Sequence, residues 1–158
     1  MTALSTPLYP ARIPARATIT SGAEFSFLRR SDGEPGTQDR QRPRQSRVIA
    51  AACLRLWGLA PLTDPACLVL SELVTNAFVH GRGALVTVRL FLTAAELCIE
   101  VCDGSPWVSR QPCPDPLAPS GRGLSLVDAV VDAWGVCEDG ARVWCLIRRD
   151  LGTPEGHR

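Results

Sequence analysis

The residues best placed to do chemistry lie in Ser71-Glu72-Leu73-Val74-Thr75-Asn76-Ala77, within an apolar run from Ala66 to Val79. Apolar residues recur at 66, 69, 70, 73, 74, 77 and 78, the spacing of a helix with one broad buried face. Glu72 and Asn76 are four residues apart, so they share a face one turn apart, and His80 continues the stripe. A carboxylate and a carboxamide in so apolar a helix are costly to bury unless something polar meets them. Alone, the stripe also fits the solvated side of an amphipathic helix.

Three further features follow in order. Asp103-Gly104-Ser105-Pro106 ends a predicted strand, where an Asp most often forms a turn or a cap. Residues 106–120 carry five prolines, a density that excludes regular structure and predicts a long loop of the kind that often acts as a lid. Gly121-Arg122-Gly123-Leu124 then opens a helix. Gly-x-Gly can be a helix start that needs unusual backbone angles. It can also be an anion site made of free amides at the positive helix end, with Arg122 adding charge suited to phosphate.

The elements that must position these groups read as follows. Residues 1 to 22, rich in Pro, Ala, Thr and Ser, are expected to be a disordered leader, and 151–158 a tail. Residues 23–150 are expected to form one domain, opening with an edge strand at Glu24–Leu28. A first helix is expected from Pro43 to Trp57, with Val48, Ala51, Ala52, Arg55 and Leu56 at helical spacing and Gly58 ending it. Arg40, Arg42, Arg44 and Arg47 near its start read as a solvated cluster among acids rather than a patch for an acidic partner. Thr63 or Asp64 should cap the central helix, with Pro65 in its first turn and Gly81 and Gly83 ending it. Leu85–Leu92 and Glu96–Cys102 alternate as strands of one antiparallel hairpin. After the loop, a helix to about Trp134 should turn Leu124, Val127, Val131 and Trp134 inward and Asp128 and Asp132 to water. Gly135–Glu138 and Arg142–Arg148 should close the sheet around Asp139-Gly140.

Composition limits the chemistry. The chain has 158 residues, 46% hydrophobic and 21% charged, with a net charge of +1, which suits one globular domain and argues against a nucleic-acid or membrane partner. All 17 basic residues are Arg. The absence of Lys removes the Walker-type phosphate loop, the ordinary protein-kinase lysine and Schiff-base chemistry. Seven Cys, none in Cys-x-x-Cys, read as reduced thiols of a cytoplasmic protein, and two His make a zinc site improbable. No signal peptide and no membrane-length apolar run is expected.

Taken together, the ordered features resemble the ATPase superfamily shared by histidine kinases, Hsp90-type chaperones and gyrase-type topoisomerases. Glu72 to Ala77 with His80-Gly81 is similar to its helix box, Val101 to Pro106 to its adenine box, and Gly121 to Val127 to its phosphate box. Ala133-Trp134-Gly135 and Gly140 to Trp144 resemble the closing strands of the small anti-sigma-factor serine kinases and their actinobacterial relatives. The resemblance covers about residues 24 to 148.

It implies an α/β sandwich of the Bergerat type: a mixed, largely antiparallel sheet, helices on one face, and ATP held between helices and lid. It implies Glu72 as general base and Asn76 as the ligand of Mg²⁺ bridging the ATP phosphates. It further implies Asp103, with Gly104, at the adenine amino group, and Gly121, Arg122, Gly123 and Leu124 around the phosphates. Two positions depart from the pattern. Ser105, followed by Pro106, stands where glycine is usual, which implies a lid without its usual glycine hinge; Arg142 stands where a threonine near the adenine is usual, which implies a weakened or reshaped adenine contact. The implied activity is protein serine/threonine phosphorylation in partner switching, with an antagonist protein and a sigma factor as partners and a homodimer as a further assembly. A nucleotide-sensing module without kinase turnover is the alternative.

Overall fold

The computed structural model describes residues 18–30, 34–104, 122–137 and 140–150. The Pro-rich loop, Ser105, Gly121 and the expected tail lie outside them.

Five strands form one sheet in the order β1 (Ser21–Leu28), β2 (Leu85–Leu92), β3 (Glu96–Cys102), β5 (Arg142–Arg148), β4 (Ala133–Val136). Every pairing is antiparallel. The β2–β3 hairpin has the expected bounds, and the Thr93 hydroxyl accepts hydrogen bonds from the amides of Ala95 and Glu96 at its turn. Three helices, α1 (Thr37–Leu56), α2 (Thr63–His80) and α3 (Arg122–Val130), cover one face of the sheet. The fold is thus the α+β sandwich expected from the sequence. β1 begins at Ser21, inside the stretch read as leader, and lies at one edge of the sheet.

α2 is the centre of the helical layer. All seven apolar positions that suggested its buried face are buried: Ala66, Val69, Leu70, Leu73, Val74, Ala77 and Phe78. They pack on Val86, Val88 and Leu90 of β2, Leu97, Ile99 and Val101 of β3, and Val143, Cys145 and Ile147 of β5. By length and composition alone, residues 60–80 would pass for a membrane span, contrary to the expectation. Here that apolar side is what the sheet covers.

Several sequence expectations are corrected. A 3₁₀ turn, Ala60–Leu62, runs directly into α2, so neither Thr63 nor Asp64 caps it; Leu62 is the N-cap residue and makes no side-chain cap bond. α1 starts six residues before Pro43 and carries that proline in its interior. Its buried residues are Asp39, Ser46, Ala50 and Leu54, whereas Val48 and Leu56 are 64% and 85% exposed. The inward face was hidden because two of its members are polar. The Ser46 hydroxyl donates to Arg42 O at 2.8 Å, and Asp39 Oδ1 accepts the Arg30 amide at 3.1 Å. α3 ends at Val130, so Trp134 belongs to β4, where its indole donates to Asp128 at 3.0 Å while its ring reaches the core. Asp132 explains the break. Its amide donates to Leu146 O, and its carboxylate accepts the Arg148 amide at 2.6 Å, so the chain joins the sheet there.

Of the four arginines at the start of α1, Arg40 and Arg44 are exposed, and Arg42 and Arg47 are half-buried against the domain. Arg40 donates to Pro35 O, Arg42 lies 5.1 Å from the centre of the Phe27 ring, and Arg47 donates to the Ser71 hydroxyl. The six described cysteines are all free. Burial pushes the Cys145 thiol up to about 12 and raises Cys98 further, so both are inert fillers.

Candidate functional site

The orientation of α2 follows from one contact. Ser71 faces α1, where it accepts the Arg47 hydrogen bond at 2.9 Å. Five residues on at 100° each, Asn76 is turned about 140° away from that side. Glu72 and His80 flank Asn76 by a turn on either side, and all three stand on the side of α2 away from α1. α3 is the other helix packed on α2. Asn76, His80 and Asp103 are each engaged within the fold, and Glu72 and Asn76 are half-buried.

Asp103 comes to the same place from β3. Strand alternation puts Leu97, Ile99 and Val101 on the helical face, and Asp103 continues that parity just past the strand end. Its amide donates to Ala141 O at 3.3 Å, which ties it to the start of β5. The residue is only 7% exposed. What covers it is the turn that leaves α2. A methyl group at Gly81 would overlap the Asp103 carboxylate and stand 2.8 Å from its Cγ; one at Gly83 would overlap the Asp103 carbonyl oxygen and stand 2.8 Å from its carbon. Both glycines therefore let the helix-box turn lie directly on the adenine-box aspartate. Sequence reasoning had Gly83 only as a helix terminator, and Gly81 as a terminator and as part of the helix box. Gly104 has φ +72°, a left-handed conformation that glycine supplies at little cost, and turns the chain away after Asp103.

At α3, Arg122 and Gly123 open the helix as expected, and the helix packs beside α2. Leu124 is partly buried and packs on the core, so it anchors the helix start. Gly121 lies outside the described residues. Arg142 stands differently from the expectation. Its register partner is Cys102, and its guanidinium lies 3.8 Å from the Glu100 carboxylate, on the sheet face away from the helices. It therefore does not point into the adenine side of the site.

That outer face holds a second feature the sequence did not reveal. Glu100 is 1% exposed, with Arg89 and Arg142 at 3.9 and 3.8 Å and no hydrogen bond to either carboxylate oxygen. Burial raises its pKa, and the two guanidinium groups only partly offset that.

A cleft of about 950 Å³ lies between the start of α1 and the end of α2, lined among others by Arg29, Asp39, Arg40, Phe78, His80 and Gly81. It meets the site at His80 and Gly81. Among the described residues, no three His, Cys, Asp or Glu side chains group to hold a metal.

This order of parts, a carboxylate–carboxamide helix, a buried strand-end Asp under a glycine turn, and a Gly-opened helix beside them, is matched by a known domain. The family model of the histidine kinase-like ATPase domain covers residues 37–146. The chain belongs to that family. A comparison with curated proteins gave no match. The chain therefore carries an ATPase-type, ATP-binding module.

The residues fit that ligand. The Asp103 carboxylate, shielded from water, is an acceptor suited to an exocyclic amine. The first-turn amides of α3 suit phosphate oxygens. Nine residues separate Glu72 from Gly81, about 13 Å at 1.5 Å each.

Proposed function

We propose that the domain is an anti-sigma-factor-type serine/threonine protein kinase that acts by partner switching in the cytoplasm. The observation that carries the reading is the position of Glu72. It sits one turn before Asn76 on the α2 side turned away from α1, about 13 Å along the helix from the turn that covers Asp103. When bound, Mg·ATP supplies a transferable terminal phosphoryl group. Glu72 accepts the proton of the attacking seryl or threonyl hydroxyl. Asn76 presents its carbonyl oxygen to Mg²⁺, a hard cation that would complete its shell with phosphate oxygens and water. Asp103 accepts the adenine amino group and so favours adenine over guanine. The amides of Gly123 and Leu124 meet phosphate oxygens at the start of α3. The protein substrate is a small antagonist protein, and the partner released or captured by its phosphorylation is a sigma factor.

The test is transfer of labelled phosphate from ATP to antagonist proteins of the same genome, by wild type and by Glu72→Gln. The variant keeps shape and hydrogen bonding but cannot take the proton. It should bind ATP like wild type and transfer about 10²–10⁴-fold more slowly, the usual worth of a general base. If wild type binds ATP and phosphorylates no antagonist, the domain is instead a nucleotide-sensing module. If Glu72→Gln transfers at the wild-type rate, Glu72 is not the base.

A further inference from the structure

Arg29 follows β1 directly, far in sequence from every residue of the site, and no motif marks it. Its three guanidinium nitrogens are all used on backbone carbonyls. Nη2 donates to Ala77 O at 2.8 Å, Nη1 to Phe78 O at 2.7 Å, and Nε to Gly83 O at 2.9 Å. Its own amide donates to Ala84 O at 2.9 Å. The guanidinium also lies 5.3 Å from the centre of the Phe78 ring.

These carbonyls stand on both sides of one short turn. Ala77 and Phe78 belong to the last turn of α2, and Gly83 and Ala84 lead into β2. A planar fork with fixed donor directions holds the two ends at a set separation, which a flexible point charge cannot do. A cation at a helix C-terminus is also favoured by the exposed carbonyls there. Gly81 lies between the clamped ends and Gly83 is one of them; these two residues lie against the Asp103 carboxylate and carbonyl. The same turn follows Asn76 and His80 on α2.

We propose that Arg29 is a positioning residue for nucleotide recognition: it holds the Gly81–Gly83 turn against Asp103 and thereby sets the discrimination between adenine and guanine nucleotides. This rests on the reading of Asp103 as the base-recognition group. Arg29 itself does not touch the nucleotide; its three nitrogens are occupied.

The experiment measures dissociation constants for ATP and GTP by competition, in wild type, Arg29→Lys, Asp103→Asn and the double variant, below the melting temperature of each. Arg29→Lys keeps the charge but not the planar fork, so it tests the clamp with less cost to the fold than Arg29→Ala. Arg29→Lys should reduce the ATP-over-GTP ratio by about tenfold, the scale of one buried hydrogen bond left misaligned. In the Asp103→Asn background it should change the ratio little, because both act through one carboxylate. If Asp103→Asn removes the preference while Arg29→Lys lowers only the melting temperature, the proposal is overturned and Asp103 keeps its role. If Asp103→Asn leaves the preference intact, the reading of Asp103 fails and the proposal with it.

Discussion

Gly83→Ala tests whether the turn after α2 must lie on Asp103. The added methyl group would overlap the Asp103 carbonyl oxygen and stand 2.8 Å from its carbonyl carbon. Ordinary carbon–carbon contact is about 3.5–4.0 Å, so turn and strand end must part by at least about 0.7 Å. Both neighbours are backbone, and Arg29 ties the turn from the other side through Gly83 O, so neither yields easily. Overpacking of this kind costs about 2–3 kcal/mol. For a domain of this size that lowers the melting temperature by roughly 8–12 °C. Separation of the turn from Asp103 should also weaken ATP binding, read by calorimetric titration well below the melt. Gly104→Ala is the control. Gly104 has φ +72° but open space around a Cβ, so its substitution should cost only about 1 kcal/mol of backbone strain. Equal melting temperatures for the two variants would refute the packing argument.

Other outcomes follow from the same structure. Asn76→Ala should abolish the Mg²⁺ dependence of ATP binding while circular dichroism still shows a folded domain; wild-type Mg²⁺ dependence would remove Asn76 from the metal. Leu70→Ala, in the fully buried face of α2, should destabilise by about 2–5 kcal/mol in urea unfolding, and a loss under 1 kcal/mol would contradict its place in the core. Glu100 has a raised folded-state pKa because of burial, so the stability it contributes is complete below its ordinary value of 4.5 and is lost as pH rises through the folded value. Glu100→Gln cannot titrate and should gain on wild type as pH rises above 4.5; parallel stability curves would show that Glu100 is not desolvated.

The parts of the site that were legible in the sequence are those that depend on local spacing. The α2 stripe could be read because each apolar position repeats at 3.6 residues and each meets the sheet. Asp103 could be placed because β3 alternates cleanly up to it. α1 misled because its buried face holds two polar residues: Ser46 bonds back to Arg42 O within the helix, and Asp39 meets Arg30 N from beyond it. The outer sheet face was also invisible. Cys98, Glu100, Trp144 and Leu146 are buried there, although one-sided alternation predicts exposure. Arg29 carries no signal at all, since its partners at 77, 78 and 83 are brought to it by β1 pairing with β2.

The central claim is that Asp103 reads the base of a nucleotide lying along α2. Equilibrium titration of wild type and Asp103→Asn with ATP and with GTP, each with and without Mg²⁺, tests it most directly. Wild type should prefer ATP, and Asp103→Asn should lose about 1–3 kcal/mol of ATP affinity, the cost of a buried polar group left unpaired, with little change for GTP. Equal affinities of the wild type for ATP and GTP, or an unchanged preference in Asp103→Asn, would contradict it.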